Sequence, residues 1–152
     1  MKLLTTLLLS TLLISQECED GFTYFEEIPI STVSIPFGVN CFADPDLQFL
    51  SDLNNDNNLG YPSPIEVGTQ TWFDGKLNNL VAGYYTSGVS SQISTIPESI
   101  ENLNELRTLY MEWNNISMLP STFSNLSELK NLYISNNELE ALIEDIGNLS
   151  EL

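Results

Sequence analysis

Residue types that carry acid–base or nucleophilic chemistry are scarce or poorly placed in this sequence of 152 residues. It contains no histidine, the side chain that enzymes use most often as a general base. Paired acids such as Glu26-Glu27 and Glu144-Asp145 occur, but among 21 acidic residues such pairs arise by chance and usually form solvated surface. We therefore expect no catalytic residues, no cofactor and no enzyme activity.

A cation site is the second chemistry to consider. From Asp52 to Leu59, oxygen donors stand at alternate positions, as in the first half of a calcium-binding loop. The rest of that pattern fails, because Asn57 stands where a glycine is required and Ser63 where the bidentate acid belongs. A polar turn at the end of a helix explains the same residues, so we expect no metal ligands.

The two cysteines, Cys18 and Cys41, are the remaining reactive groups. In an exported chain they lie in an oxidising compartment, where a disulfide is the default pairing. Closing a loop of about 24 residues would stabilise the fold by roughly 3 kcal/mol in the chain-entropy model. A metal site or a reactive thiol is the weaker alternative, since neither histidine nor a neighbouring cysteine supports it.

The N-terminus indicates export. Lys2 is followed by an uncharged, leucine-rich stretch up to Ile14, which is typical of a signal peptide and too short for a membrane span. We expect a secreted or cell-surface location and no membrane span beyond the signal peptide. Because the net charge of −17 repels phosphate backbones, we expect no nucleic-acid partner.

An internal repeat predicts the secondary-structure elements that would position any binding site. Residues 106–119 align with residues 129–142 at an offset of 23, apolar on apolar, and the alignment continues from 120–126 onto 143–149. The same offset reaches backward to Ile93. No single unit of this kind can bury its apolar face alone, so neighbouring units must stack into a continuous, parallel-stranded coil.

Residues 106–116 and 129–139 match the pattern L-x-x-L-x-L-x-x-N-x-L, and the chain thereby resembles the leucine-rich-repeat family. Residues 96–103 and 119–126 resemble its L-P-x-x-I-x-x-L subclass, whose second half is a short helical or extended turn. The resemblance covers about half of the chain, from near Leu77 to the end. It implies an α/β solenoid, a horseshoe with short parallel strands on the concave face and an N-terminal disulfide-linked cap.

An irregular first repeat is predicted ahead of these two. Leu77, Leu80 and Ala82 would take its strand positions. About six extra residues within the segment 83–92 would bulge before Ile93, in keeping with the atypical form of terminal repeats.

Asn114 and Asn137 stand at equivalent positions, where the chain turns away from a strand. An amide side chain there can satisfy backbone groups that the bend leaves open in its own and the next repeat. We interpret both as structural. The N-x-S sequons at Asn115, Asn125 and Asn148 are glycosylation acceptors in a eukaryotic source, although their spacing also follows from the repeat.

The chain thus divides into a signal peptide (residues 1–16), an N-terminal cap region (17–75) and leucine-rich repeats (76–152). Leu152 is the first position of another repeat, and a solenoid needs a polar terminal cap. We expect the chain to be part of a longer product, or to fray or associate at its C-terminal edge.

Within the cap region, Asp44 and Pro45 predict the start of a helix, with Asp44 as N-cap and Pro45 at the first helical position. Trp72 and Phe73 are expected to fill the junction between this helix and the first repeat. The segment 24–39 is interpreted as an extended arm tied down by the disulfide. The open edge of the first repeat would be covered by the leucines of the helix, Leu47, Leu50 and Leu53.

Strand residues that point away from the core form the expected concave face. Exposed rings with polar neighbours suit protein, peptide or glycan recognition, because rings supply large contact area at low entropic cost. Tyr110 and Tyr133 should stack across adjacent strands, and stabilising the strand ladder is an equally good role for them. The predicted ligand-binding residues are Thr108, Tyr110, Glu112, Trp113, Asn131, Tyr133 and Ser135.

The resemblance implies protein–protein binding as the usual task, although a fold does not fix a function. We expect an extracellular recognition module that binds a protein, peptide or glycan through its concave face. The alternative is a structural or adhesive spacer in a larger cell-surface protein, whose activity, catalytic or otherwise, lies in other domains.

Overall fold

A computed structural model describes residues 18–37, 40–85 and 88–152, and the predicted signal peptide lies outside this part of the chain. The strands of the described residues are β1 (Phe22–Tyr24), β2 (Val33–Phe37), β3 (Cys41–Ala43), β4 (Thr69–Phe73), β5 (Lys76–Val81), β6 (Thr108–Tyr110) and β7 (Asn131–Tyr133). The α-helix is α1 (Asp44–Asp56), and the 3₁₀ helices are Pro64–Glu66, Glu98–Asn102, Ser121–Asn125 and Glu144–Asn148.

The repeats form the parallel half of a five-stranded sheet of order β2-β4-β5-β6-β7. Leu80 in β5 pairs with Leu109 in β6, which pairs with Leu132 in β7, so equivalent repeat positions lie side by side. Backbone bonds continue this register past the strand ends, where Ala82 N–H donates to Tyr110 O at 2.7 Å. The parallel stacking predicted from the 23-residue offset is confirmed for these strands.

The whole sheet is mixed, which the sequence reading did not anticipate. Strand β4 runs antiparallel to β5, and β2 adds to β4 as a parallel strand. The antiparallel pair follows from the two-residue turn Asp74-Gly75, where both residues have positive φ, 46° and 75°. Such a tight turn returns the chain directly alongside itself, whereas parallel strands need a longer crossover.

The second half of each repeat folds as a 3₁₀ helix rather than an extended turn. These helices begin after Pro97, Pro120 and Ile143, which all have extended backbone. They pack against one another in sequence order on the side of the core away from the strands. The first two of these helices and the turns after them send buried side chains into the core, namely Ile100, Leu103, Phe123 and Leu126.

Helix α1 extends this row of 3₁₀ helices, because it packs against Glu98–Asn102. Its predicted apolar face is confirmed, since Leu47, Leu50 and Leu53 are all buried. The predicted cap is wrong by one residue: Ala43 is the N-cap, and Pro45 is the second helical residue. The Asp44 carboxylate instead accepts a hydrogen bond of 2.7 Å from the hydroxyl of Thr23.

The junction between helix and sheet is filled by Trp72, which is fully buried and meets Phe42 edge-on at 4.7 Å between centroids. Its indole N–H donates to Gln70 Oε1 at 2.9 Å, and Gln70 is itself fully buried. The expectation for Phe73 is wrong, since it is 44% exposed. Successive strand residues face opposite sides, so burying Trp72 turns its neighbour outward.

The predicted disulfide is present between Cys18 and Cys41, with their Cα atoms 5.7 Å apart. It holds the start of the described chain against β3, which pairs with β1. The segment predicted as an extended arm contains the end of β1 and all of β2, and its last two residues, 38 and 39, lie outside the described part. Export of the chain is consistent with this bond, because disulfides persist in oxidising compartments.

No helix among the described residues is long and apolar enough to cross a membrane.

Candidate functional site

Asparagine side chains hold the turns that follow the strands. Asn114 is buried, its Nδ2 donates to Ala82 O and Met111 O at 3.0 Å, and its Oδ1 accepts from Ile93 N–H at 2.9 Å. Asn137 repeats the arrangement one unit later, accepting from Ile116 N–H at 3.0 Å. The structural interpretation is confirmed, but the neighbour that each amide satisfies is the preceding repeat, not the next.

The same contacts confirm the irregular first repeat. Ile93 meets Asn114 as Ile116 meets Asn137, although Ile93 lies six residues further from its strand than the regular spacing allows. The extra residues therefore form a loop at the end of β5, closed by a bond of 3.3 Å from Val89 N–H to Gly83 O. Of this loop the structure describes residues 83–85 and 88–92.

The structure places the predicted binding residues on β6, on β7 and on the segments that directly follow these strands. We call the surface formed by Thr108, Tyr110, Glu112, Trp113, Asn131, Tyr133 and Ser135 the strand face. Thr108 pairs with Asn131 and Tyr110 with Tyr133 across the two strands. The amide of Asn131 donates to Thr108 Oγ1 at 3.3 Å, and the Tyr110 and Tyr133 rings lie 5.5 Å apart at 33°. The predicted ring contact across the strands is confirmed, with the two rings tilted rather than parallel.

Glu112 is the charged group of the strand face. Its carboxylate accepts hydrogen bonds from the hydroxyls of Ser135 and Tyr110. Because hydrogen bonds favour the ionised form, first the Ser135 hydroxyl and then the Tyr110 hydroxyl hold the pKa of Glu112 below its ordinary value. The carboxylate is therefore negative at neutral pH, and it suits the role of a fixed anion rather than of a proton donor.

Trp113 marks the end of the strand face. Its φ of 62° lies in the left-handed region, which a bulky residue rarely adopts, and Asn136 has the same conformation one repeat later. The Trp113 ring is 42% exposed and meets the ring of Tyr85 edge-on at 5.5 Å. Tyr85 in turn contacts Tyr84 at 4.7 Å.

Tyr84 and Tyr85 were missed by sequence reasoning, which treated the insertion only as an irregularity. Tyr84 N–H donates to Glu112 O at 3.2 Å, so the loop joins the strand face where Glu112 and Trp113 lie. The signal was available, because insertions in repeat proteins collect on one face, often the binding face. Two adjacent tyrosines in such an insertion indicate an extended contact surface.

A buried carboxylate in the cap was also missed. Asp46 is 1% exposed, its Oδ2 accepts from Leu77 N–H at 2.7 Å, and its Oδ1 lies 3.8 Å from Lys76 Nζ. Burial raises the pKa of Asp46 from 3.8 to about 6, outweighing the lowering by the Leu77 N–H and Lys76, while Glu105 adds to the rise. Asp46 and its partner Leu77 are 31 residues apart in the sequence, so no local pattern of residues predicts that they meet.

Two asparagines of the segment considered for calcium, Asn54 and Asn57, are engaged elsewhere. Asn57 Oδ1 accepts from the N–H groups of Ser94 and Thr95 at 2.8 and 2.9 Å, and Asn54 Oδ1 accepts from Tyr61 N–H at 3.0 Å. In the described part of the chain, no three His, Cys, Asp or Glu residues are grouped to hold a metal ion. These asparagines fasten α1 to the segments that follow it.

The fold and the face together define a class: a repeat protein that stacks parallel strands behind a disulfide-linked cap and exposes aromatic rings beside an ionised carboxylate. No protein-family model matches the chain, and no curated protein matches it. Among solved structures, it is similar to a leucine-rich-repeat protein of Leptospira interrogans, with 39% identity and a TM-score of 0.39. That similarity covers 40% of this chain and 16% of the Leptospira protein.

Proposed function

We propose that this chain is an extracellular, non-enzymatic recognition module that binds a protein or peptide ligand through the strand face. The observation that supports this most is the exposure of rings whose orientations are already set. Tyr133 is 47% exposed and Trp113 is 42% exposed, yet each is held by a ring contact to a neighbouring unit. Rigid, exposed rings lose little entropy on binding, which is why they dominate binding energy at interfaces.

The polar groups beside the rings support the same function. Asn131 and Thr108 present amide and hydroxyl groups, and Glu112 presents carboxylate lone pairs beyond the two hydroxyl bonds that it accepts. A surface with aromatic anchors and adaptable polar partners is typical of protein and peptide recognition. Secretion is part of the proposal, supported by the signal-peptide pattern and by the Cys18–Cys41 disulfide.

The proposal is tested by selecting peptides from a random dodecapeptide library on the purified protein and measuring their affinity for variants. Replacing Tyr133 or Tyr85 with alanine should lower the affinity for the selected peptides by about tenfold or more. Met118→Ala is the matched control, because Met118 is 70% exposed and lies outside the strands. Peptides that bind all three variants like the unmodified protein, or a library that yields no binder, would contradict a peptide-binding strand face.

A purely structural role of the tyrosines is tested with the same variants. If the tyrosines serve only the strand ladder, Tyr133→Ala lowers the melting temperature and leaves peptide affinity unchanged in the folded protein.

A further inference from the structure

We propose that the ligand of the strand face is a positively charged segment of a partner protein, with lysine or arginine side chains placed against Glu112 and the neighbouring rings. This inference rests on the proposed function and names the chemistry of its ligand.

The first support is an ionised carboxylate that no basic side chain of the described residues pairs with. The sequence contains four basic residues, Lys2, Lys76, Arg107 and Lys130. In the described part of the chain, Lys76 pairs with Asp46 and Lys130 with Glu151, and no ion pair involves Glu112. Both groups that bond Glu112 are neutral hydroxyls, so its charge is fixed in place and left for an external cation.

The second support is the set of rings around that charge. Tyr110, a bond partner of Glu112, contacts the exposed ring of Tyr133 at 5.5 Å between centroids. Trp113 follows Glu112 directly in the chain, and its ring contacts that of Tyr85, which is 70% exposed. Ring faces attract ammonium and guanidinium groups, and tryptophan does so most strongly. A carboxylate beside exposed rings therefore favours a cation over a neutral group.

The third support is the charge of the whole molecule. With a net charge of −17, the chain creates a negative field that attracts cationic ligands and repels anionic ones. Long-range attraction acts on association rate, while the contacts at Glu112 provide the specificity. A neutral glycan gains stacking on the rings but nothing from this field, so we treat it as a competing outcome of the experiment.

The test uses a short peptide in which arginines alternate with glycines, and a control peptide with citrulline in place of arginine. Both are titrated into the ¹⁵N-labelled protein and followed by two-dimensional NMR. We expect the arginine peptide to shift the amide signals of Glu112, Trp113 and Tyr133, and the citrulline peptide to bind about tenfold more weakly or not at all.

Two substitutions distinguish specific binding of the arginine peptide at Glu112 from its general attraction to an acidic protein. Glu112→Gln should lower the affinity for the arginine peptide about tenfold. Glu140 is exposed and lies outside the strands, so Glu140→Gln should leave this affinity nearly unchanged. Both remove one negative charge. Equal effects of the two substitutions, or shifts spread over the acidic surface, would overturn the inference.

The ring contribution is tested at Tyr133, where Tyr133→Phe keeps the aromatic face and Tyr133→Leu removes it. We expect the first to retain binding of the arginine peptide and the second to lose it. If the citrulline peptide or a neutral oligosaccharide binds at least as well and depends on Tyr133, the binding face stands and the cationic ligand is wrong. If neither peptide nor oligosaccharide shifts these signals, both the proposed face and its ligand are wrong.

Discussion

The carboxylate of Asp46 in α1 accepts a hydrogen bond of 2.7 Å from the backbone N–H of Leu77, near the start of the first repeat's strand. The bond links the cap helix directly to the sheet. Because Asp46 is almost completely buried, this link includes an ionisable group whose pKa is displaced upward, to about 6. The stability of the cap should therefore depend on pH near neutrality.

Asp46→Asn should reduce that pH dependence. The folded pKa lies above the unfolded one, so the contribution of Asp46 to stability is full below the unfolded value of 3.8 and is lost as pH rises through about 6. Between about pH 5 and about pH 7.5 the unmodified protein should lose on the order of 1 kcal/mol from this group, and the variant should not. Urea unfolding of both proteins at the two pH values measures how much each free energy of unfolding changes with pH. The contributions of the other carboxylates are common to both proteins and cancel when the two changes are subtracted. Parallel losses in the two proteins would show that Asp46 does not titrate in this range.

Gly75→Ala should destabilise the protein far more than Gly60→Ala. Both glycines have positive φ, 75° and 79°, so both substitutions carry the backbone cost of about 1 kcal/mol. A Cβ at Gly75 would also lie 2.6 Å from Cys41 O, whereas a Cβ at Gly60 meets nothing within 4 Å. Thermal unfolding of the two variants compares them, and equal melting temperatures would contradict the close approach of the hairpin turn to β3.

Asn114→Ala should cost about 2 to 4 kcal/mol, because it leaves the buried Ile93 N–H and two carbonyls without their partner. Asn137→Ala should cost less, since that side chain is only partly buried and water can replace it. The control is Asn115→Ala, an exposed neighbour expected to change stability by less than about 0.5 kcal/mol. Urea midpoints give the order, and a change at Asn114 no larger than at Asn115 would refute the structural role.

The pKa of Glu112, measured by NMR of its side-chain carboxyl carbon, should lie below the ordinary glutamate value. Ser135→Ala should raise this pKa more than Tyr110→Phe does, because the Ser135 hydroxyl contributes the larger lowering. As a result, an arginine peptide bound at Glu112 should keep its affinity from neutral to mildly acidic pH. A pKa that neither substitution moves would mean that the two hydroxyls do not bond the carboxylate in solution.

Most of the repeat region could be predicted from the sequence. The 23-residue offset correctly placed Leu109 beside Leu132, and, with six extra residues allowed in the first repeat, it placed Leu80 beside Leu109. It also identified Asn114 and Asn137 as structural. The aromatic pair of the strand face was predicted too, because Tyr110 and Tyr133 occupy the same repeat position. Ligand binding by this face stays a proposal, and the peptide-binding measurements test it.

The cap was predicted less completely. The three-residue spacing of leucines identified the buried face of α1. The hairpin between β4 and β5 was overlooked, although its Asp74-Gly75 turn is a strong local signal. The parallel addition of β2 had no such signal. Its position depends on which edge of the sheet is open once the hairpin has formed.

The stacking of the repeats was encoded in the sequence alone, because the strand pairs there join equivalent residues of successive repeats, and that equivalence is visible as a repeated pattern. Contacts that join positions unrelated by the period were established only by the tertiary structure. Asp46 meets Leu77, and Tyr85 meets Trp113, because the cap and the inserted loop fold back onto the sheet. The desolvation of the Asp46 carboxylate and the contact between the two rings arise only when these segments fold back onto the sheet. No local pattern of residue types predicts either of them.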